Sequence, residues 1–156
     1  MTSSEKVFLG VVVYVLGIIL LVVAGGVWFW KRHGTSMIDD SKAAYVQGTS
    51  EGSATDEKGC LEAAISRYQE RRGFAHGIAN NVRLGSCLDA SRATPNFCQS
   101  VPSADNPFLL ATFSAQRCEQ SGLKNDPFCP QMFQQVAKYC SSEGRRTKSA
   151  DFEPPG

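Results

Sequence analysis

Metal and redox chemistry have little to work with in this chain. It holds two histidines, His33 and His76, and neither lies close to a cysteine. Its six cysteines include no C-x-x-C pair. That excludes a thioredoxin-type redox site, a C-x-x-C-H haem attachment and the close ligand pairs of zinc modules. The zinc-protease signature H-E-x-x-H and the phosphate loop G-x-x-x-x-G-K are also missing. No cofactor or metal site is expected. Charge of one sign is not in excess: Lys and Arg number 16, Asp and Glu 15, for a formal net charge of +1. A nucleic-acid binder usually carries a clear basic surplus, so none is expected here. Val and Ile become scarce after residue 30, and no segment alternates apolar and polar residues for long, which argues against a sheet. The fold class expected is all-α.

What is present divides the 156 residues into parts. A short head, 1–6, precedes Val7–Trp30, 24 residues without a charge. As a helix that run spans about 36 Å, against a hydrocarbon core about 30 Å thick. Trp28, Phe29 and Trp30 close it, followed by Lys31 and Arg32. Indole rings favour the headgroup region and long basic side chains reach the phosphates, so Trp28, Trp30, Lys31 and Arg32 are expected membrane-interface anchors. A signal peptide cleaved after Ala24 is the rival reading, but the apolar run continues past that point into Val-Trp-Phe-Trp. Gly10, Gly17 and Ala24 recur every seven residues. Small residues on one face allow close helix approach, yet they are common in membrane helices, so the stripe supports only weak self-association.

Two signals disagree about orientation. Lys31 and Arg32 favour a cytoplasmic C-terminal part. Six cysteines in a small region favour a disulfide framework in an oxidising compartment. The charge difference is small, so the cysteines decide: the N-terminus is expected in the cytoplasm and the body outside it. Residues 31–55 have linker composition, notably Ser50-Glu-Gly-Ser-Ala-Thr, and read as a mostly flexible tether, in which Met37, Ile38, Ala43, Ala44, Tyr45 and Val46 could make a brief helix or touch the body. Residues 143–156 read as a solvated tail.

Between them, 56–142 forms the expected six-cysteine helical domain. Its first helix, 57–71, is capped by Thr55 or Asp56 and carries Leu61, Ala64, Ile65 and Tyr68 on one stripe, with Gly73 ending it. Short helical stretches are expected at 78–83 and 87–92. Asn106-Pro107 opens a helix that stops by Gly122, and Asp126-Pro127 opens the last. In that last helix Cys129, Phe133, Val136 and Cys140 share a stripe. Cys129 and Cys140 then lie about 16 Å apart along the axis, too far for a disulfide.

Cys87 and Cys98 repeat, 31 residues earlier, the spacing of Cys118 and Cys129, each second cysteine preceded by Phe with Pro nearby. A bridge from one helix end to the next helix start would pin a hairpin. The pairing expected on these grounds is Cys87–Cys98, Cys118–Cys129 and Cys60–Cys140.

Two features could carry binding or chemistry. Arg67, Arg71, Arg72 and Arg83 could form an anion-binding face, or simply the wet side of a helix interspersed with Glu62 and Glu70. His76 is the sole histidine of the body and could serve a hydrolase only with a serine and an acid beside it. The function expected is therefore non-enzymatic: a single-pass membrane protein whose extracytoplasmic helical domain binds a protein partner as accessory subunit or adaptor. A small-ligand or lipid-binding module is the alternative, and a hydrolase using His76 a remote one.

Overall fold

The computed structural model describes residues 3–145, with the side chains of 3–9, 30 and 32–37 left undescribed. Five helices carry the described chain: α1 (Ser3–Ala54), α2 (Glu57–Glu70), α3 (Phe74–Ala90), α4 (Pro107–Gln120) and α5 (Cys129–Cys140). No strand forms among the described residues. The one extended pairing is an isolated bridge between Asp56 and Arg92. Contacts divide the chain into two units, residues 1–39 and residues from Asp40 on.

In the first unit, Gly10–Phe29 of α1 is an apolar helical stretch of 20 residues with none of its surface buried. By length and composition it is a candidate membrane span or a signal sequence. Trp28 and Lys31 are exposed, whereas the Trp30 and Arg32 side chains lie outside the described residues. Gly10 and Gly17 have open space around them.

In the second unit, α2 begins where the sequence places it. The Asp56 carboxylate accepts from the Gly59 backbone N–H at 2.8 Å, satisfying one of the free donors of the first turn. Ala64 and Tyr68 are buried in the core, and Leu61 and Ile65 pack against it. A turn through Gly73, whose φ of 134° suits a residue without Cβ, reverses the chain into α3. The stretches expected at 78–83 and 87–92 are one helix, α3. Gly85, the weak helix former between them, is buried against Gln135 of α5, so tertiary contact overrides its low propensity. The start of α4 also follows the sequence, with Pro107 in the first turn and Asn106 accepting from the Leu109 N–H at 3.1 Å. The last helix starts two residues later than Pro127. Asp126 Oδ1 still caps it, taking the Phe128 and Cys129 N–H groups at 2.9 and 3.1 Å. Cys129, Phe133 and Val136 bury the stripe of α5, Phe133 meeting the Phe113 ring edge-on.

All six cysteines are oxidised, in the pairs Cys60–Cys87, Cys98–Cys140 and Cys118–Cys129. The expected Cys118–Cys129 bridge forms. The expected Cys60–Cys140 and Cys87–Cys98 bridges do not. The cause is the length of α3. As one helix folded back on α2, it returns Cys87 to the level of Cys60, with Cα atoms 5.8 Å apart. Cys98, in the irregular stretch after α3, is then free to meet the end of α5, Cα to Cα 5.4 Å from Cys140. The two C-x10-C units thus share a spacing but not a pairing.

From Asp40 on, the expected tether is not a flexible spacer but part of the second unit, where α1 stays helical to Ala54. Ala44, Gly48 and Gly52, each four residues on, are buried. A Cβ on Gly48 would strike Ser86 Oγ and the Arg83 carbonyl, and one on Gly52 would strike the Cys87 carbonyl. The Gly residues that read as linker therefore mark a backbone-to-backbone approach between α1 and α3.

The tail expected from residue 143 is anchored at its start. Arg145 is buried and pairs with Glu57, whose side chain is wholly enclosed. Glu57 also accepts from the Tyr139 hydroxyl at 2.8 Å and from the Thr94 N–H at 2.6 Å. The remainder of the expected tail, 146–156, lies outside the described residues.

Candidate functional site

The C-terminal turns of α1, with α2 and α3, enclose an open cleft of about 420 Å³. Asp40 and Gln47 reach it from α1, Arg67 and Arg71 from the end of α2, and His76 and Arg83 from α3. The turn at Gly73 is what brings the basic residues of two helices to one wall.

Glu51 organises the guanidinium groups. Its Oε2 accepts from Arg67 Nη2 at 3.0 Å and from Arg83 Nε at 2.9 Å, while Oε1 takes Arg83 Nη2. Arg83 Nη1 donates to Gln47 Oε1 at 2.8 Å. Arg67 Nη1 donates to Asn80 Oδ1 at 3.1 Å. Asn80 is itself fixed, its Nδ2 donating to the Ala64 carbonyl at 2.9 Å and contacting Met132 Sδ at 3.3 Å. Two guanidinium groups are thus held in orientation by one carboxylate and two amides, with partly buried geometry that favours charge-assisted bonds. Burial lowers the Arg67 pKa from its ordinary value. Glu51 and Glu70 oppose that shift and Arg83 adds to it. Tyr68 forms part of the wall, and its hydroxyl is turned away to Asp126 at 3.0 Å.

Of the four arginines singled out from the sequence, Arg67, Arg71 and Arg83 meet in this cleft. Arg72 is exposed and does not line it. His76 does line it, and none of the lining residues is Ser, Thr or Cys. One motif escapes a reading of the segment as linker: Gly48-Thr49-Ser50-Glu51-Gly52 has the letters G-x-S-x-G. A nucleophile elbow requires a strained strand-to-helix turn. Here the five residues lie inside α1, where both glycines are buried and Ser50 is exposed outside the cleft. Asp40, Gln47 and Glu51 are the site residues that composition concealed. The signal that could have found them is Glu51 between two glycines at four-residue spacing, a helical face with a carboxylate beside it.

Among the described residues no group of three or more His, Cys, Asp or Glu side chains is placed to hold a metal ion. Comparison with protein-family models, with curated proteins and with solved structures finds no match.

Proposed function

We propose that the protein is a non-enzymatic, membrane-anchored binding module. Gly10–Phe29 is its uncleaved membrane span, the head is cytoplasmic, and the disulfide-bonded body lies outside the cytoplasm and engages a protein partner at the cleft. One observation carries this reading: a single chain joins a 20-residue helix stretch that is apolar all round to a body whose cysteines are all oxidised. A helix with no polar face is at home in lipid, and three disulfides persist in an oxidising compartment. Lys31 and Arg32 favour the opposite orientation, but that bias is weak for so short a head. The cleft suits a binding role better than a lipid sac, because three guanidinium groups and a carboxylate stand among the alanines and Tyr68 of its wall.

Two measurements test the proposal. Alkaline phosphatase fused after Gly156, which keeps Arg145, is expected to be active in a bacterial host, on a protein that resists carbonate extraction and keeps its N-terminus. An inactive fusion overturns the orientation, and a soluble product beginning at Gly25 overturns the anchor. A photoreactive residue at Ala75, in the cleft, is expected to give one protein adduct in native membranes, and one at exposed Lys58 none. No adduct at residue 75, or the same adducts at both positions, removes the cleft as the contact site.

A further inference from the structure

We infer that the cleft recognises a carboxylate of the protein partner, a Glu or Asp side chain or a C-terminus, and that Arg71 is the residue that takes it. The inference rests on the proposed role of the cleft as a protein contact and adds the chemistry of recognition.

Charge gives the sign of the ligand. Three guanidinium groups line the cleft, from Arg67, Arg71 and Arg83, against one lining carboxylate, Asp40, while Glu51, outside the lining, pairs with Arg67 and Arg83. The lining is therefore net positive, and its ligand is expected to be an anion. Donors give the site. A guanidinium offers five N–H donors. Arg83 spends its Nε, Nη1 and Nη2 on Gln47 and Glu51, and Arg67 spends both terminal nitrogens on Asn80 and Glu51. The Arg71 side chain makes no hydrogen bond or ion pair among the described residues and is exposed at the cleft. Its whole fork is therefore open, in the same cleft as the His76 ring, which is exposed and also makes no hydrogen bond or ion pair among the described residues.

Two arginines of the cleft already hold a carboxylate. Glu51, which does not itself line the cleft, shows how: both oxygens used, two arginines as donors. A second carboxylate entering at the Arg71 side would reproduce that arrangement with Arg71 and the spare hydrogens of Arg67. A single protruding side chain or chain end fits a concave cleft, whereas the headgroups of a bilayer present a plane. A lipid phosphodiester carries the same single charge, so it is the competing occupant that the test must separate.

The experiment uses the full chain in phosphatidylcholine nanodiscs and follows the side-chain NMR signals of Arg71 and His76. N-acetylglycine, a free carboxylate, is expected to shift both signals saturably, and its neutral counterpart N-acetylglycinamide neither. R71Q is expected to weaken binding by about tenfold, as the loss of a charge-assisted pair implies, with R71K in between. Arg71 is exposed, so neither variant should disturb the fold. Equal shifts from both probes, or none from either, overturn the inference. So does an R71Q protein that binds N-acetylglycine as the parent does. If nanodiscs containing phosphatidylglycerol alone reproduce the shifts and N-acetylglycine then adds nothing, the occupant is lipid and the inference is wrong. Carboxylate binding without a protein adduct at residue 75 would instead leave the chemistry of the cleft standing and remove the protein partner.

Discussion

The Tyr139 hydroxyl lies 2.8 Å from Glu57 Oε1, joining the end of α5 to the first residue of α2 in the interior of the body. Glu57 has no exposed surface, and its other oxygen receives the Thr94 N–H. Buried carboxylates persist only where donors and a countercharge surround them, and Arg145 provides the charge. E57A strips partners from three groups at once and leaves the Arg145 guanidinium buried and unpaired. The expected cost is about 3–5 kcal/mol, read as a lower urea midpoint of the full chain in detergent, monitored by near-ultraviolet circular dichroism. Adding R145A to E57A should recover part of that loss, because the stranded charge goes with it. A variant E57A that unfolds like the parent would mean the network contributes nothing to stability.

The same burial makes the body sensitive to alkali. Desolvation, and then the hydrogen bond to Glu57, raise the Tyr139 pKa far above its ordinary value. Desolvation and the bond to Asp126 raise that of Tyr68. The unfolded chain releases these protons at about pH 10, while the folded chain keeps them. The stability these phenols contribute is therefore fully present below about pH 10 and is lost as pH rises toward the folded values. Each retained proton should lower stability by about 1.4 kcal/mol per pH unit in that window. Comparison of unfolding midpoints on either side of pH 10 checks this: Y139F should flatten the alkaline decline, and a decline that is identical in Y139F would exclude Tyr139 as its source.

Gly48 and Gly52 fix the last turns of α1 to α3, and their substitution separates a docked helix from a flexible spacer. A methyl at Gly48 meets the Ser86 hydroxyl and the Arg83 carbonyl, and the second of these is backbone that cannot turn aside. G48A should cost about 1–3 kcal/mol by overpacking, despite the better helix propensity of alanine. In the parent, amide exchange over residues 44–54 should be slow. In G48A it should approach that of an unpacked helix, and proteolysis at Lys42 should quicken. Fast exchange in the parent would return the segment to a spacer.

The parts of this fold that the sequence discloses are those fixed by neighbours in the chain. Asp56 and Asn106-Pro107 announce helix starts because the capping bond closes over three residues. The α2 and α5 stripes follow from helical period alone. Docking of α1 is only half legible: Ala44 belongs to the apolar group that could touch the body, whereas Gly48 and Gly52, which permit the close approach, bring no apolar volume and resemble a linker. With that docking went Glu51, and so the reason Arg67 and Arg83 share a site with Arg71 while Arg72 does not. Continuity of α3 was hidden by Gly85, whose helical state depends on burial against α5. An error there of one helix boundary redirects two disulfides.

Those disulfides give the last prediction. A peptide map of the non-reduced protein should contain Cys60–Cys87, Cys98–Cys140 and Cys118–Cys129, with no free thiol. A Cys129–Cys140 peptide should never appear, since both lie on α5 about 16 Å apart along its axis. The bridges close chain separations of 27, 42 and 11 residues respectively. Loop-closure entropy then assigns about 3.5, 4 and 3 kcal/mol in that order, before any native-state strain. Replacing each pair together by Ser avoids a stranded thiol. The double variant at Cys98 and Cys140 should unfold most readily and that at Cys118 and Cys129 least, on this entropic ground. Cys98 has a further role: it sits in the irregular stretch between α3 and α4, where few helical bonds hold the chain, so its bridge also fastens that stretch to α5. Amide exchange across residues 91–106 should accelerate in the Cys98 and Cys140 double variant and stay near the parent's rate in the other two. A map containing Cys60–Cys140 would restore the pairing suggested by sequence spacing and would require α3 to be broken near Gly85. Unchanged exchange across 91–106 without Cys98 and Cys140 would mean that this stretch is held by its own turns and that the longest bridge is idle.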